Sequence, residues 1–151
     1  MAGQAGCPVL VDIPPPETAA LLPFGPFLVK PNHLEAARLV GFPLESESRL
    51  LQAAETLVRL GARQALITRG GNSAGWGQEN SSCLLALPPV PPGTRIFATG
   101  AGDATMAGCA AALVRGETGL SLAEWGIASG TAFAVLGEAC CWEDVKRFRE
   151  Q

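Results

Sequence analysis

Short apolar runs alternate along the chain with longer segments in which apolar residues recur every three or four positions. A run of four to eight aliphatic or β-branched residues between turn-forming residues is typical of a buried strand. A spacing of three or four residues is typical of a helix with one apolar face. The runs predict strands at residues 8–13, 27–30, 64–68, 74–76, 83–87 and 95–98, the last of which leads into a glycine-rich turn.

Several of the helical segments carry recognisable end signals. Asn32 and Ser46 are suited to cap helices, because their side-chain oxygens can accept hydrogen bonds from N–H groups of the first turn. Gly61 is suited to end a helix, because glycine readily adopts the left-handed conformation. Helices are predicted at residues 34–40, 47–60, 104–115, 121–136 and 142–148, residues 2–7 resemble the last turn of another helix that stops at Gly6, and the prolines of 14–16 and 88–92 predict loops.

Strands that alternate with helices predict a parallel sheet covered by helices on both faces. The two strands predicted between residues 74 and 87 surround a polar turn at residues 78–82 and therefore indicate a hairpin at the edge of the sheet. The predicted fold class is α/β, mostly parallel with a short antiparallel hairpin, in a single domain over residues 1–151.

Composition narrows the possible partners. Eleven Lys+Arg against 14 Asp+Glu give a net charge of −3, and the only lysines are Lys30 and Lys146. Nucleic acid needs a basic stripe that neutralises phosphates, so neither nucleic acid nor an acidic membrane is an expected partner. The apolar run 104–114 is too short to span a bilayer, and the first residues lack the pattern of a signal peptide. We expect a soluble, cytoplasmic protein.

The five cysteines include no Cys-x-x-Cys pair, and the one histidine, His33, is far from them in sequence. A zinc site is therefore not expected, and buried thiols in a reducing compartment are the preferred interpretation. A single histidine also argues against hydrolases that depend on a Ser/His/Asp or Cys/His arrangement. We expect His33 at the surface.

Residues 99–108 contain the first loop that could form a binding or catalytic site, because its glycines lead directly into a predicted helix of small residues. Glycine lets backbone N–H groups converge, and a helix N-terminus carries partial positive charge, so the segment predicts an anion site. A carboxylate at Asp103 could take a proton from an attacking hydroxyl while Gly100, Ala101 and Gly102 hold a transferring phosphoryl group. The alternative, equally open, is that Asp103 only caps the helix.

A second loop follows the strand at Gln64–Thr68 and includes Gly70, Gly71 and Ser73. Ligands of open α/β sheets bind beyond the carboxyl ends of the strands, which makes this loop a candidate. No helix follows its glycines, so a dinucleotide-type fingerprint is rejected, and neither lysine follows a glycine as a Walker A motif requires. The alternative is a plain hairpin entry.

Asn32 and Glu35 form the third candidate group at a predicted helix start. Their spacing lets both face one point, where they could hold a hydrated Mg²⁺. The same spacing is that of a capping box, which taken alone is the preferred interpretation.

The three loops, in this order, resemble the ribokinase-like (PfkB) carbohydrate kinases. The signature of that family is Asp-Thr-x-Gly-Ala-Gly-Asp before a helix; residues 100–103 match its second half, whereas Phe97-Ala98-Thr99 stand where Asp/Asn-Thr-x is usual. Lys30-Pro31-Asn32 matches the phosphosugar branch, which includes 1-phosphofructokinase, the minor 6-phosphofructokinase and tagatose-6-phosphate kinase. Asn32-x-x-Glu35 matches the family's Asn-x-x-Glu motif.

The resemblance implies a three-layer α/β/α fold and phosphoryl transfer from ATP to a hydroxyl of a sugar or phosphosugar of the fructose phosphate or tagatose phosphate type. It implies a base at Asp103, an anion hole at Gly100–Gly102, and Mg²⁺ held through Glu35 and Asn32. The ATP site that it implies comprises Lys30, Asn32, Thr68 and Gly70. The loop after Thr68 adds Gly71 and Ser73 to this predicted site.

The resemblance covers only about the C-terminal half of the family's fold. We therefore expect the sugar-binding N-terminal half to be missing and the chain to associate with a complementing half or with its own copies. Two alternatives stay open: another kinase of the superfamily with a nucleoside or vitamin substrate, and a truncated nucleotide-binding remnant without activity.

Overall fold

A computed structural model describes residues 6–151, so the helix end predicted at residues 2–7 lies largely outside the described residues. The chain divides into two compact units, the first comprising residues up to Arg69 together with Ser73–Leu85, and the second comprising Gly70–Asn72 and Ala86–Gln151. The five strands all belong to the first unit and run β1 Leu10–Val11, β2 Leu28–Val29, β3 Gln64–Thr68, β4 Ala74–Gln78 and β5 Ser81–Leu85.

The strands form one sheet in the order β1-β2-β3-β4-β5. The first three pair in parallel, with Val11 opposite Val29 and Val29 opposite Ala65. β4 and β5 continue the sheet as the expected antiparallel hairpin. Its turn is tighter than predicted, because Gln78 already pairs with Ser81 and only Glu79 and Asn80 connect the strands.

The helices of the first unit are α1 Pro15–Leu21, α2 His33–Val40 and α3 Glu47–Arg59, and a 3₁₀ turn spans Leu22–Phe24. α3 buries Leu50, Ala54 and Leu57 in the same hydrophobic core as Val29, Ala65 and Ile67 of the sheet. Gly77 lets the helix approach closely, because a Cβ there would lie 3.1 Å from Ala54 Cβ.

Two of the predicted elements are wrong. The prolines at 14–16 do not form a loop: Pro15 and Pro16 occupy the first turn of α1, where a missing N–H costs nothing because that group has no helical partner. Residues 95–98 are not a strand. Their backbone pairs with a helix rather than a sheet, since the N–H of Phe97 donates to the carbonyl of Ala134 at 2.8 Å.

The second unit consists of α4 Ala101–Val114, α5 Gly119–Leu136 and α6 Trp142–Arg149. α4 and α5 pack closely through Gly108 and Gly126, where added side chains would meet Ser129 and Cys109. α6 is attached by an aromatic stack, in which the Trp125 and Trp142 ring centroids lie 4.2 Å apart.

The burial of the cysteines and the apolar helix α5 bear on two of the expectations from the sequence. Of the five cysteines only Cys109 is fully buried, whereas Cys7 and Cys141 are exposed. α5 is the one helix within residues 6–151 that is long and apolar enough to cross a membrane, but half of it is buried inside the protein, as in many core helices, so it is weak evidence for a membrane span.

Candidate active site

The carboxyl ends of β1 and β2 bring Asp12 and Lys30 together. Each residue directly follows its strand, and the Lys30 N–H donates to the carbonyl of Val11 at 3.0 Å. The Lys30 ammonium lies 2.9 Å from Asp12 Oδ2. Because Val11 and Val29 face the core under α3, side-chain alternation turns Asp12 and Lys30 to the opposite face of the sheet. Sequence reasoning assigned Asp12 no role; the available signal was an acidic residue that ends a buried strand.

Asn32 and Glu35 form the capping box that their spacing predicts. Asn32 Oδ1 accepts hydrogen bonds from the N–H groups of Leu34 and Glu35 at 2.9 and 3.0 Å, and Glu35 Oε2 accepts from the N–H of Asn32 at 2.9 Å. The box fixes both side chains at the start of α2. Glu35 Oε1 has no partner within the described part of the chain, so one carboxylate oxygen remains for a ligand.

Thr68 lies beside this helix start. It forms an isolated parallel bridge with Asn32, and its N–H donates to the carbonyl of Pro31 at 3.3 Å. Lys30, Asn32 and Thr68 are therefore neighbours at one edge of the sheet, as expected for residues at the carboxyl ends of adjacent parallel strands.

The loop after Thr68 is closed by a hydrogen bond from the Arg69 N–H to the carbonyl of Ser73 at 2.9 Å. Gly70 adopts a φ of 59° and is exposed, as is Gly71. Ser73 is only 6% exposed, and its Oγ is buried without a partner. A buried hydroxyl without a hydrogen bond is costly, so this atom is suited to a ligand or a water molecule.

His33 departs from the prediction of a surface residue. It is half-buried, and its Nδ1 is shielded from solvent without a hydrogen-bond partner.

In the second unit, Gly100 is the N-cap of α4, so Asp103 is not. Asp103 occupies the third helical position, and its side chain is exposed. The Ala101 N–H donates to Ala98 and the Ala104 N–H to Gly100. Between them, the N–H groups of Gly102 and Asp103 have no acceptor among residues 6–151, which leaves two donors beside the Asp103 carboxylate.

Two phenylalanines support this turn. A Cβ at Gly100 would lie 2.8 Å from Phe133 Cζ, and one at Gly137 would lie 2.7 Å from the Phe97 ring. The segment before α4 is thus packed along the end of α5. Phe97 departs from the pattern of the family that the sequence resembles; the packing of both rings depends on tertiary contacts that spacing does not reveal.

The predicted site residues therefore fall into two groups. Lys30, Asn32, Glu35, Thr68 and Ser73 belong to the first unit, whereas Gly70, Gly71 and 100–103 belong to the second. Within residues 6–151 no group of three or more His, Cys, Asp or Glu side chains could hold a metal ion.

Comparison with known proteins links this chain to one family. The family model described as "pfkB family carbohydrate kinase" matches residues 1–138. A 1-phosphofructokinase of Borreliella burgdorferi is 29% identical over 140 residues, which are 92% of this chain and 45% of that protein.

Solved structures agree. The crystal structure of a putative phosphofructokinase from Staphylococcus aureus superimposes with a TM-score of 0.87 at 24% identity, over 99% of this chain and 48% of that one. Ribokinase of Arabidopsis thaliana, complexed with ribose and ATP, superimposes with a TM-score of 0.78 at 25% identity, over 98% and 49%. The ribokinase-like α/β fold is confirmed, and the chain spans about half the length of the relatives that it matches.

Proposed function

Because the chain belongs to the pfkB family of carbohydrate kinases, we propose that it supplies the nucleotide-binding and catalytic-base half of an ATP-dependent sugar or phosphosugar kinase. The single observation that carries the proposal is the first turn of α4, where an exposed carboxylate and two N–H donors without acceptors occur together. An anion site beside a base is what phosphoryl transfer to an alcohol requires.

In this proposal the turn Gly100–Gly102 forms the anion hole around the transferring phosphoryl group, and the N–H groups of Gly102 and Asp103, which have no acceptors among the described residues, are its donors. Charge builds up on the oxygens of that group as it moves, and fixed donors at a helix N-terminus stabilise the charge without reorganisation. Glycine at 100 and 102 keeps Cβ atoms away from the donors.

Asp103 acts as the base. Its carboxylate accepts the proton of the acceptor hydroxyl as the hydroxyl oxygen bonds to phosphorus, and the bond from phosphorus to the ADP oxygen breaks. General-base catalysis of this kind contributes roughly 10²- to 10⁴-fold. The exposed position of Asp103 in the first turn agrees with a group that must meet a substrate.

In this proposal the residues at the carboxyl ends of the parallel strands form the nucleotide site. Glu35 and Asn32 are proposed to hold Mg²⁺. Mg²⁺ retains several waters and binds through few carboxylates, which fits the one unengaged Glu35 oxygen. When bound, the ion would neutralise phosphate charge, and Glu35 and Asn32, which the capping box fixes at the start of α2, would hold it. The nucleotide itself is assigned to Lys30, Asn32, Thr68, Gly70, Gly71 and Ser73.

A phosphosugar is the proposed acceptor, because Lys30-Pro31-Asn32 matches that branch and the Borreliella burgdorferi relative is named a 1-phosphofructokinase. The acceptor is of the fructose phosphate or tagatose phosphate type. We assign the reaction to the cytoplasm and expect a complementing half-domain or a second copy of the chain as protein partner.

Calorimetric titration of the purified chain with Mg²⁺·ATP tests the proposal. We expect binding by the wild type and at least tenfold weaker binding by Gly102→Val, whose branched side chain crowds the donors of the turn. Ala107→Val is the matched control, because Ala107 is exposed on the same helix one turn further on. Absence of binding by a folded wild-type chain, or equal losses in both variants, would overturn the proposal.

A further inference from the structure

A cleft in the first unit lies between the last turns of α3 and the β4–β5 turn. Its volume is about 660 Å³, which is within the range of sites for small molecules. Arg63, which borders the cleft, directly precedes β3, whereas Thr68 ends that strand. The cleft is therefore at the amino end of β3, and the residues that the proposed nucleotide site takes from the first unit are at the carboxyl ends of the strands.

Contacts between α3 and the hairpin hold the two walls of the cleft. Gly77 of β4 packs against Ala54 of α3. Next to this contact, Glu55 Oε1 of α3 accepts a hydrogen bond from Ser82 Oγ of β5 at 2.6 Å. Because both contacts join the helix to the hairpin, the walls keep a fixed separation, and a ligand would not have to order them.

Two arginines border the cleft without neutralising partners. Glu55 and Arg59 are four residues apart on α3, a spacing at which an acid and a base often pair. Here Glu55 is bonded to β5, and Arg59 Nη2 instead donates to Thr56 Oγ1 at 2.7 Å. The ion pairs of the described residues all lie elsewhere, and the Arg63 guanidinium has no hydrogen bond among them. Both guanidinium groups therefore keep donors for an anionic group.

The β4–β5 turn, which also borders the cleft, offers further donors. Asn80 has a φ of 60°, in the left-handed region, and successive N–H groups of such turns can form a concave anion site. The N–H groups of Glu79 and Asn80 have no acceptors within the described part of the chain. The same turn contributes the carboxylate of Glu79, so the lining combines donors for an anion with acceptors for hydroxyl groups.

We propose that this cleft is a second binding site, for a small molecule that carries both an anionic group and several hydroxyl groups. Arg59 and Arg63 bind the anionic group, because guanidinium groups form paired hydrogen bonds with phosphate and carboxylate oxygens. Glu55 and Glu79 repel a bare anion but accept hydrogen bonds from hydroxyl groups. A sugar phosphate and a sugar acid share this chemistry.

Two-dimensional ¹⁵N–¹H spectra of the purified chain test the proposal, with glucose 6-phosphate and gluconate as probes. We expect at least one probe to shift the amide signals of residues 78–82 to saturation, and the one that binds more tightly identifies the anionic group. Glucose, which has no charge, and inorganic phosphate, which has no hydroxylated chain, should each bind about tenfold more weakly, as for a lost charge-assisted contact. If neither probe saturates these signals, the proposal is overturned.

Substitution of the arginines tests their role in the cleft. Arg59→Gln and Arg63→Gln should each weaken binding of the probe about tenfold. Arg38→Gln is the matched control, because Arg38, like Arg59, is an exposed arginine in the last turn of its helix but does not border the cleft. Equal effects of all three variants would indicate attraction to the overall charge of the chain and would contradict a specific site.

The same spectra distinguish this site from the proposed nucleotide site. Shifts confined to residues 68–73 and 100–103 would place the probes at the nucleotide site and remove the second site. Failure of the folded chain to bind Mg²⁺·ATP would contradict the proposed function alone, because Arg59, Arg63 and the β4–β5 turn have no part in it.

Discussion

Gly100 determines how the chain enters α4. Its φ of 91° lies in the left-handed region, and the Phe133 ring fills the place of a Cβ. We expect Gly100→Ala to lower the free energy of unfolding by more than the roughly 1–2 kcal/mol that left-handed backbone costs a residue with a Cβ, because the ring must also move. Urea denaturation measures the change.

Gly116→Ala is the matched control for this variant, since Gly116 has a φ of 88° and nothing within 4 Å of its Cβ position. The difference between the two variants isolates the contact with Phe133. Adding Phe133→Leu to Gly100→Ala should recover part of that difference; equal losses at both glycines would show that the ring contributes nothing.

At this scale the sequence revealed contacts that depend on local spacing. The capping box of Asn32 and Glu35 could be predicted because its partners lie three residues apart. The pairing of Asp12 with Lys30 and of Gly100 with Phe133 could not, since each joins residues that are distant along the chain and meet only through sheet register or helix packing.

Glu117 anchors the first turns of α5. Its carboxylate accepts hydrogen bonds from Ser121 Oγ at 2.6 Å and Trp125 Nε1 at 3.1 Å, and these bonds lower the pKa of Glu117. A carboxylate whose pKa is lower in the folded state than in the unfolded state stabilises the protein at pH values above the unfolded-state pKa. This stabilisation is lost as the pH falls through the folded-state pKa. We therefore expect wild type to be more heat-stable than Glu117→Gln at pH 7, with the difference narrowing below about pH 4.

Thermal unfolding followed by circular dichroism from pH 7 to pH 3 provides the comparison. Glu79→Gln is the control, because Glu79 is exposed in the β4–β5 turn, and it should show no such trend. A stability difference for Glu117→Gln that stays constant across this range would argue against a role for the charged carboxylate.

Elements with a strong internal pattern were predicted well, and those that depend on partners were not. The apolar spacing and the Ser46 cap of α3 are local, and the helix forms as predicted. The apolar run at 95–98 looked like a strand, but strands need neighbours, and Phe97 pairs with Ala134 at the end of α5 instead. α1 is not predicted by its pattern, because three consecutive prolines favour a loop, although prolines are tolerated in a first helical turn.

For the molecule as a whole, the family and the fold could be predicted because short motifs of the family stand at the ends of predicted strands and the starts of predicted helices. Residues 30–35 and 100–103 carried that recognition at an overall identity of 29% to a curated relative. The arrangement of the acceptor site could not be predicted, since this chain spans 45% of that relative's length.

Because the chain spans only 45% of the length of that relative, we make a prediction about its turnover of sugar phosphates. The chain carries the proposed base and anion hole, whereas a sugar site must also exclude water and orient the hydroxyl within reach of Asp103. We expect the chain alone to bind Mg²⁺·ATP without phosphorylating fructose 1-phosphate or fructose 6-phosphate. A separately produced N-terminal half of a pfkB-type kinase should restore turnover, measured as sugar-dependent release of ADP.

Asp103→Asn separates chemistry from assembly in this mixture. The variant keeps the shape of the side chain and the donors of the α4 turn, so nucleotide binding and association of the halves should persist. Loss of the proton acceptor should lower turnover on the order of 10²- to 10⁴-fold. Turnover by the chain alone would show that no second half is needed, and undiminished turnover by Asp103→Asn would remove Asp103 from the role of base.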